Sequence, residues 1–344
     1  MLETVPNTSR QATPEKSAFA VVLLQMGGPA NLAQVEPFLA NLFSDPDLVQ
    51  LPLGRFYQKS LARKIAARRA PKVSLKYAEI GGGSPVHRET IAQVQALAAA
   101  LPRGIQVRHV FRYCEPRAQT VLQELRTIGI DRVVALSMYP QRSRATTGSS
   151  LRDLEGEAQI LRMTVRAVDE YPTEQGFIQA WADLLRQGLQ RWASSAANTH
   201  VLFVAHGVPQ SYTRRGDPYV GQVHATLQSI RKAVPDLPPS SLAYQSQVGP
   251  MKWHGPSVHE AVAECARNNC EVLCMVPVSF TCEHLETLHE LDLEAKELVR
   301  QAGIPHFERI PTVACHPAFI AGLARLALKA AGDWVGVEAC TMSS

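Results

Sequence analysis

The chain alternates two kinds of apolar pattern. Short runs such as AFAVVLLQM (18–26), IQVRHVFRY (105–113), RVVALSMYP (132–140) and LRMTVRAV (161–168) read as strands. HVLFVAHG (200–207), LAYQSQVG (242–249) and EVLCMVPVSF (271–280) read likewise. They are largely apolar at consecutive positions, the pattern of parallel strands covered on both faces. Between them lie longer stretches of helical period, one running to about residue 128 and another from about 174 to 194. This alternation predicts an α/β fold with right-handed crossovers, and the number of units suits two lobes meeting near residues 170–175. The expected division is a polar, disordered lead-in over 1–16, a first lobe over 17–173, a second over 174–330 and a tail over 331–344.

The unusual residues follow directly after the strands, in QMGGP, RYCEP, MYPQRSRATTGSS, AHGVP, YQSQVGPMKW and FTCEHLE. Parallel sheets bind ligands at the carboxyl ends of their strands, so the six clusters should line one cleft between the lobes. QMGGP has neither GxGxxG nor Walker spacing, which leaves a nucleotide without its phosphate cradle. A net charge of +4 over 344 residues is too weak to imply nucleic acid. The longest apolar runs fall far short of the roughly 20 residues of a membrane span. The opening MLETVPNTSRQATPEKSAFA lacks an apolar signal core and carries Glu3 and Glu15. An intracellular, cytoplasmic chain is therefore expected. Seven irregularly spaced cysteines with no CxxC pair suit reduced thiols there.

One stretch, FTCEHLETLHELD (280–292), holds four acids and two histidines with no lysine or arginine. Taken as a helix from 283, at about 100° per residue, Glu283, Glu286, Glu290, Glu294 and Glu297 fall within about 80° of one another. Leu285, Leu288, Ala295, Leu298 and Val299 take the other side. This is the pattern of a solvated face on an amphipathic helix. It also suits a path for a divalent cation, because like charges at i,i+4 repel by a few tenths of a kcal/mol per pair and a cation relieves them. His284 and His289 are five apart, so this is not the HExxH zinc pattern.

Other strand ends carry further candidates. His206 is placed either to accept protons near neutral pH or to cap a turn. Asp217, in RRGDPY, can cap the next helix. The hydroxyl-rich loop with Arg142 and Arg144 suits an anion such as a carboxylate, or a plain helix cap. Residues 51–70 set Arg55, Lys59, Arg63, Lys64, Arg68 and Arg69 among Leu51, Leu53, Phe56, Tyr57, Leu61 and Ile65. Such a segment can touch anionic lipid, cover an apolar ligand or form an ordinary surface helix.

Taken together, LLQMGGPANLAQVEPFLANLFSDPDL, YAEIGGGSPVHRET, FRYCEP, YPQRSRATTGSS, AHGVPQSYTRRGDPYVGQV, YQSQVGPMKWHGP and PVSFTCEHLETLHELD resemble the ferrochelatases, motif by motif and in order, from about residue 19 to about 328. The resemblance implies two similar Rossmann-like lobes, with the active-site cleft between them, and insertion of ferrous iron into a dicarboxylate porphyrin with release of two protons. It places the catalytic pair, which would also bind the metal, on His206 and Glu286. An acidic path for protons or metal falls on Glu283, Glu290 and Glu294. Met26, Arg112, Tyr113, Tyr139, Ser143, Trp253 and His284 match positions lining the porphyrin pocket. Residues 51–70 match an apolar lip that several members press against the membrane, so peripheral contact at its inner face is expected. Porphyrin, ferrous iron and neighbouring enzymes of the haem pathway are the implied partners, with no nucleic acid.

Some positions depart from the family's usual residues. They are Arg142 for an aromatic, Gln247 for a base, Glu283 for aspartate and Tyr171 where some members have tryptophan. These bear on how the propionates are anchored. Some members hold a [2Fe-2S] cluster through one internal and three C-terminal cysteines. Here the internal position is Arg144 and the tail offers only Cys340. Cys270 and Cys282, the ends of a second group with Cys265 and Cys274, would stand roughly 30 Å apart along a strand at about 3.3 Å per residue. No cluster and no tightly bound cofactor are expected, only Fe²⁺ as substrate. The competing readings are a porphyrin or haem carrier without chemistry, and a cobalt or nickel chelatase for another tetrapyrrole.

Overall fold

A computed structural model of the chain describes residues 19–48, 55–192, 198–247 and 251–335, with backbone alone at 55 and 56. The expected lead-in over 1–16, the start of the lip at 51–54, Val248–Pro250 and the tail beyond 335 lie outside the described residues.

The first sheet holds β1 (Ala20–Gln25), β2 (Gln106–Phe111), β3 (Arg132–Ser137) and β4 (Thr164–Val168), in the order β2-β1-β3-β4. The second holds β5 (Thr199–His206), β6 (Ser240–Gln245), β7 (Val272–Pro277) and β8 (His306–Arg309), in the order β6-β5-β7-β8. Every pairing is parallel. The two orders are the same, so the chain builds one topology twice. Seven strands stand where the apolar runs predict them. The eighth, His306–Arg309, is a short edge strand of mixed polarity that periodicity alone does not mark.

Helices α1 (Val35–Ser44), α2 (Arg55–Glu79) and α3 (Val86–Ala100) fill the long crossover from β1 to β2. Next come α4 (Ala118–Thr127), α5 (Ser149–Ile160) and α6 (Gln175–Leu189). The second lobe carries α7 (Gln210–Arg214), α8 (Tyr219–Ala233), α9 (Val258–Arg267), α10 (Leu285–Leu288), α11 (Lys296–Gln301) and α12 (Pro317–Ala331). The expected boundary at 173/174 falls between β4 and α6. Helix α12 then crosses back and packs on α3, α6, β3 and β4, so the first sheet is covered by the last helix of the chain.

Strand β1 shows how the sequence sets the layers. Its six residues are all buried; Val21 and Leu23 face one core while Ala20, Val22 and Leu24 face another, as alternate side chains of a doubly covered strand must. The first of these cores is continuous between the sheets. Val21, Leu23 and Leu136 from one and Val201, Phe203 and Val276 from the other share it with Phe177 and Trp181 of α6 and Phe319 of α12. Gly322 lets α12 lie close: a Cβ there would run into the Glu174 carboxylate. That carboxylate caps α6 through the Phe177 N–H at 2.8 Å and pairs with Arg325 at 2.6 Å.

The acid segment is not one helix. His284 donates its backbone N–H to Thr287 Oγ1 at 2.9 Å and starts α10, leaving Glu283 outside. After four residues the winding loosens into a π turn over Glu290–Ala295, where Glu294 N–H reaches back to the His289 carbonyl at 2.9 Å. The extra residue breaks the single acidic face expected from a uniform 100° step, and the acids turn to different partners.

Candidate active site

The carboxyl ends of both sheets face one another, and the second sheet supplies the centre. Strand β5 ends on His206, whose backbone N–H donates to Ser279 Oγ at 3.1 Å, just beyond β7. This is the gap between β5 and β7 where the direction of the connections reverses, the usual ligand crevice of such sheets. His206 Nδ1 lies 2.8 Å from the Gly207 carbonyl oxygen. A carbonyl only accepts, so Nδ1 carries a hydrogen and Nε2 of the neutral ring keeps its lone pair. Gly207 must be small: a Cβ there would come within 2.6 Å of the Gln245 carbonyl oxygen and 3.4 Å of the Trp253 ring. The indole therefore packs beside His206, and its Nε1–H is buried without an acceptor among the described residues.

Glu286 lies on the same edge. Gln245 is the register partner of His206 across β5 and β6, and its side-chain N–H₂ donates to the Glu286 carbonyl at 2.9 Å. Phe280 stands between the two histidines, its ring centre 6.5 Å from that of His206 and 5.6 Å from that of His284. The first lobe closes against the same place. Met26, from the end of β1, shares an apolar cluster with Leu285 and Tyr113. Gln25 donates to Cys282 Sγ at 3.2 Å, and Thr281 donates to the Met138 carbonyl at 2.8 Å.

Most of the acids prove to be compensated, by residues far away in sequence. Arg309, at the end of β8, bonds Glu283 at 2.7 Å and Asp292 at 2.6 Å. Burial pulls the Glu283 carboxyl up, but Arg309, Thr287 and Thr312 outweigh it and hold it below the usual range. Glu283 is thus paired and hydrogen-bonded within the second lobe. Glu294 pairs with Lys76 of α2 at 2.8 Å. Glu290 accepts from Ser246 at 2.6 Å and from Gln245 at 3.1 Å. Burial and the nearby Glu286 charge push its carboxyl up, against the Ser246 hydroxyl, His206 and Lys76. Among the described residues the Glu286 carboxylate has no ion pair and no side-chain hydrogen bond. Glu290, Glu294 and Glu297 line an open cavity of about 550 Å³ with Tyr244, Gln245 and Ser246, which neither His206 nor Glu286 lines. No three histidine, cysteine, aspartate or glutamate side chains among the described residues stand close enough to form a ready metal cage.

His284 is held neutral, because its burial outweighs the pull of Glu286 and Glu283. Burial keeps the Cys282 thiol protonated, and its sulfur lies 3.3 Å from His284 Nε2. Tyr139 is half-buried at the end of β3, with burial raising its hydroxyl well above the ordinary range.

Three residues expected to line the porphyrin pocket have partners within the chain. Arg112 is spent on Asp45 at 3.3 Å, Asp153 at 3.2 Å and Ser149 at 2.8 Å. Tyr113 is 2% exposed and donates its hydroxyl to Asp45 at 2.8 Å. Ser143, also 2% exposed, donates to Asp217 at 2.9 Å. The hydroxyl-rich loop does hold a carboxylate, and it is the chain's own: Asp217 takes Ser143 and the Arg144 N–H on one oxygen and caps α8 through Tyr219 on the other. Sequence reasoning missed Asp45, Arg309 and Gln245. Each is an isolated polar residue whose partners lie elsewhere in the chain. Of the cysteines weighed as cluster ligands, Cys265, Cys270 and Cys274 are buried in the second lobe, Cys282 faces the cleft side and Cys340 lies outside the described residues.

A family model described as ferrochelatase matches residues 18–331. A ferrochelatase of Synechococcus sp. (strain JA-3-3Ab) is 41% identical over 318 residues, covering 90% of this chain and 93% of its own. One from Geotalea uraniireducens (strain Rf4) is 41% identical over 319 residues, covering 92% and 98%. Among solved structures, SirB from Bacillus subtilis with Fe³⁺ aligns with a TM-score of 0.53 at 11% identity, covering 91% of this chain and 96% of that one. CbiX, titled the terminal enzyme for biosynthesis of sirohaem in denitrifying bacteria, aligns at 0.51 and 15%, covering 91% and 99%. At those identities the two structures speak for the fold alone.

Proposed function

Because the chain belongs to the ferrochelatase family, and is a lyase that inserts ferrous iron into a porphyrin, we propose that insertion takes place at the carboxyl edge of the second sheet, between His206 and Glu286. One observation carries this assignment. Of the acids around 283–294, Glu286 is the one whose carboxylate has neither an ion pair nor a side-chain hydrogen bond among the described residues, while Glu290, also without an ion pair, is held by Ser246 and Gln245; Gln245, the register partner of His206, links the Glu286 backbone to the strand end of the imidazole.

The division of labour follows from that arrangement. Two pyrrole protons must leave the macrocycle, and His206 Nε2, with Nδ1 bonded to the Gly207 carbonyl, is the atom placed to accept them. Hydrated Fe²⁺ must exchange water for other donors, and Glu286 offers an uncommitted carboxylate. Glu290 is less acidic than a free carboxyl and adjoins Glu286, so it serves to relay a proton or steady a cation toward the cavity mouth. Met26, Phe280, Tyr139, Trp253 and His284 supply the apolar and neutral walls a flat ring needs. Arg112, Tyr113 and Ser143 support those walls instead of gripping the propionates. The carrier reading is not favoured, since the relatives at about 40% identity are named ferrochelatases.

We further propose that helix α2 rests on an anionic membrane surface at its cytoplasmic side. Among the described residues, Lys59, Arg63, Lys64, Arg68 and Arg69 have no acidic partner, and Tyr57 is 61% exposed beside them. No described helix is long and apolar enough to cross a membrane.

The decisive assay is anaerobic insertion of Fe²⁺ into protoporphyrin IX and coproporphyrin III, followed by the change from free-base to metalloporphyrin absorption. His206→Ala and Glu286→Ala should each lower turnover by about 10² or more while porphyrin still quenches tryptophan fluorescence. Near-normal rates in both variants would overturn the assignment.

A further inference from the structure

We propose that Gln245 is a positioning residue for iron insertion, its carboxamide fixing the acid segment against the strand that carries His206. The inference rests on the site assignment above.

The geometry is a three-point tie. The Gln245 backbone carbonyl accepts the Gly207 N–H at 2.8 Å, next to His206. Its side-chain N–H₂ donates to the Glu286 carbonyl at 2.9 Å and to Glu290 Oε2 at 3.1 Å. Both hydrogens are thereby used, and the amide cannot be turned over: its oxygen would then face a carbonyl and a carboxylate, with no hydrogen between them. Gln245 is only 5% exposed, and its Oε1 is buried with no donor among the described residues. A buried, unsatisfied amide oxygen is costly, and a leucine of similar size would avoid that cost. The amide is therefore badly chosen for stability and well chosen for holding Glu286 and Glu290 at a fixed distance from the imidazole. Catalytic groups misplaced by about 1 Å lose rate far more than they lose binding.

The test compares Gln245→Leu with the isosteric Gln245→Glu in the full chain. Both remove the paired donation, and the second covers the case in which the first does not fold. Each should lower kcat at least about tenfold while KM for porphyrin changes less than about twofold and the melting temperature is held. In a Glu290→Ala background, adding Gln245→Leu should cost less than it does in the parent, because one of the two donations is already lost. Unchanged kcat in both variants, fully additive losses, or a fall in kcat matched by equal losses of porphyrin affinity and melting temperature would each overturn the proposal. A parent chain that inserts iron while the variants behave like it leaves the site assignment standing and removes Gln245. A parent chain that inserts none removes both.

Discussion

Arg309 decides how the acid segment behaves. It is a mostly buried cation bonded to Glu283 and Asp292, residues 26 and 17 positions away. Replacing it with methionine strands two partly buried carboxylates and should cost about 3 kcal/mol of stability, read from the urea midpoint. The pH dependence has a definite sign. The folded Glu283 carboxyl lies below its usual 4.5, so its contribution is complete above that pH and fades as pH falls through the folded value. Arg309→Met should therefore lose stability less steeply than the parent below about pH 4.5. The strand-end pattern pointed to the edge that holds His206, and the family resemblance added Glu286. Their supports were not. Lys76 meets Glu294 across 218 positions, and Gln245 meets Glu286 across 41. Nor does a motif reveal that Tyr113 and Ser143 turn their hydroxyls to Asp45 and Asp217 instead of a ligand.

The elements show where periodicity succeeds and where it stops. Apolar runs located β1, β3, β5 and β7 because strands buried along most of their length carry apolar residues at consecutive positions, and the partly exposed β2, β4 and β6 keep enough of that pattern to be found. They passed over β8, whose side chains are half-buried or exposed. The expectation of one helix from 283 assumed a constant step, and a π turn absorbs a residue without any marker in composition. Helix α2 runs on to Glu79 with Pro71 inside it. It buries Gln58, Ala62, Ala66, Ala70 and Tyr77 and leaves Lys59, Arg63, Lys64, Arg68, Arg69 and Lys72 exposed. That geometry supports the membrane proposal and gives its check. Co-sedimentation with vesicles containing anionic lipid should fall when Arg68 and Arg69 are both replaced by glutamine, by about 1 kcal/mol per charge, and should weaken with salt. Equal sedimentation of parent and variant would remove the membrane contact and leave the insertion chemistry untouched.

The molecule as a whole is one body with a doubled plan. The second half carries the imidazole and the free carboxylate, and the corresponding end of β1 carries Gln25 and Met26, which only face them. The alternation of strand and helix patterns suggested two lobes meeting near residues 170–175. The shared core of Phe177, Trp181 and Phe319 ties them together, because α12 returns to lie on the first sheet.

That return path matters while the chain is being made. Translation finishes β4 at residue 168, but the helix that shields the first sheet begins only at 317. At about 5–20 residues per second the ribosome takes roughly 10–30 s to cover the interval, and during it an apolar face waits for its lid. Nascent chains arrested before Pro317 should be cut readily by protease within residues 19–168. Chains released past the end of α12 should resist. Equal resistance at both lengths would mean that the first sheet closes without its last helix. A cell making this protein therefore has reason to keep a chaperone near the tunnel exit until the end is delivered.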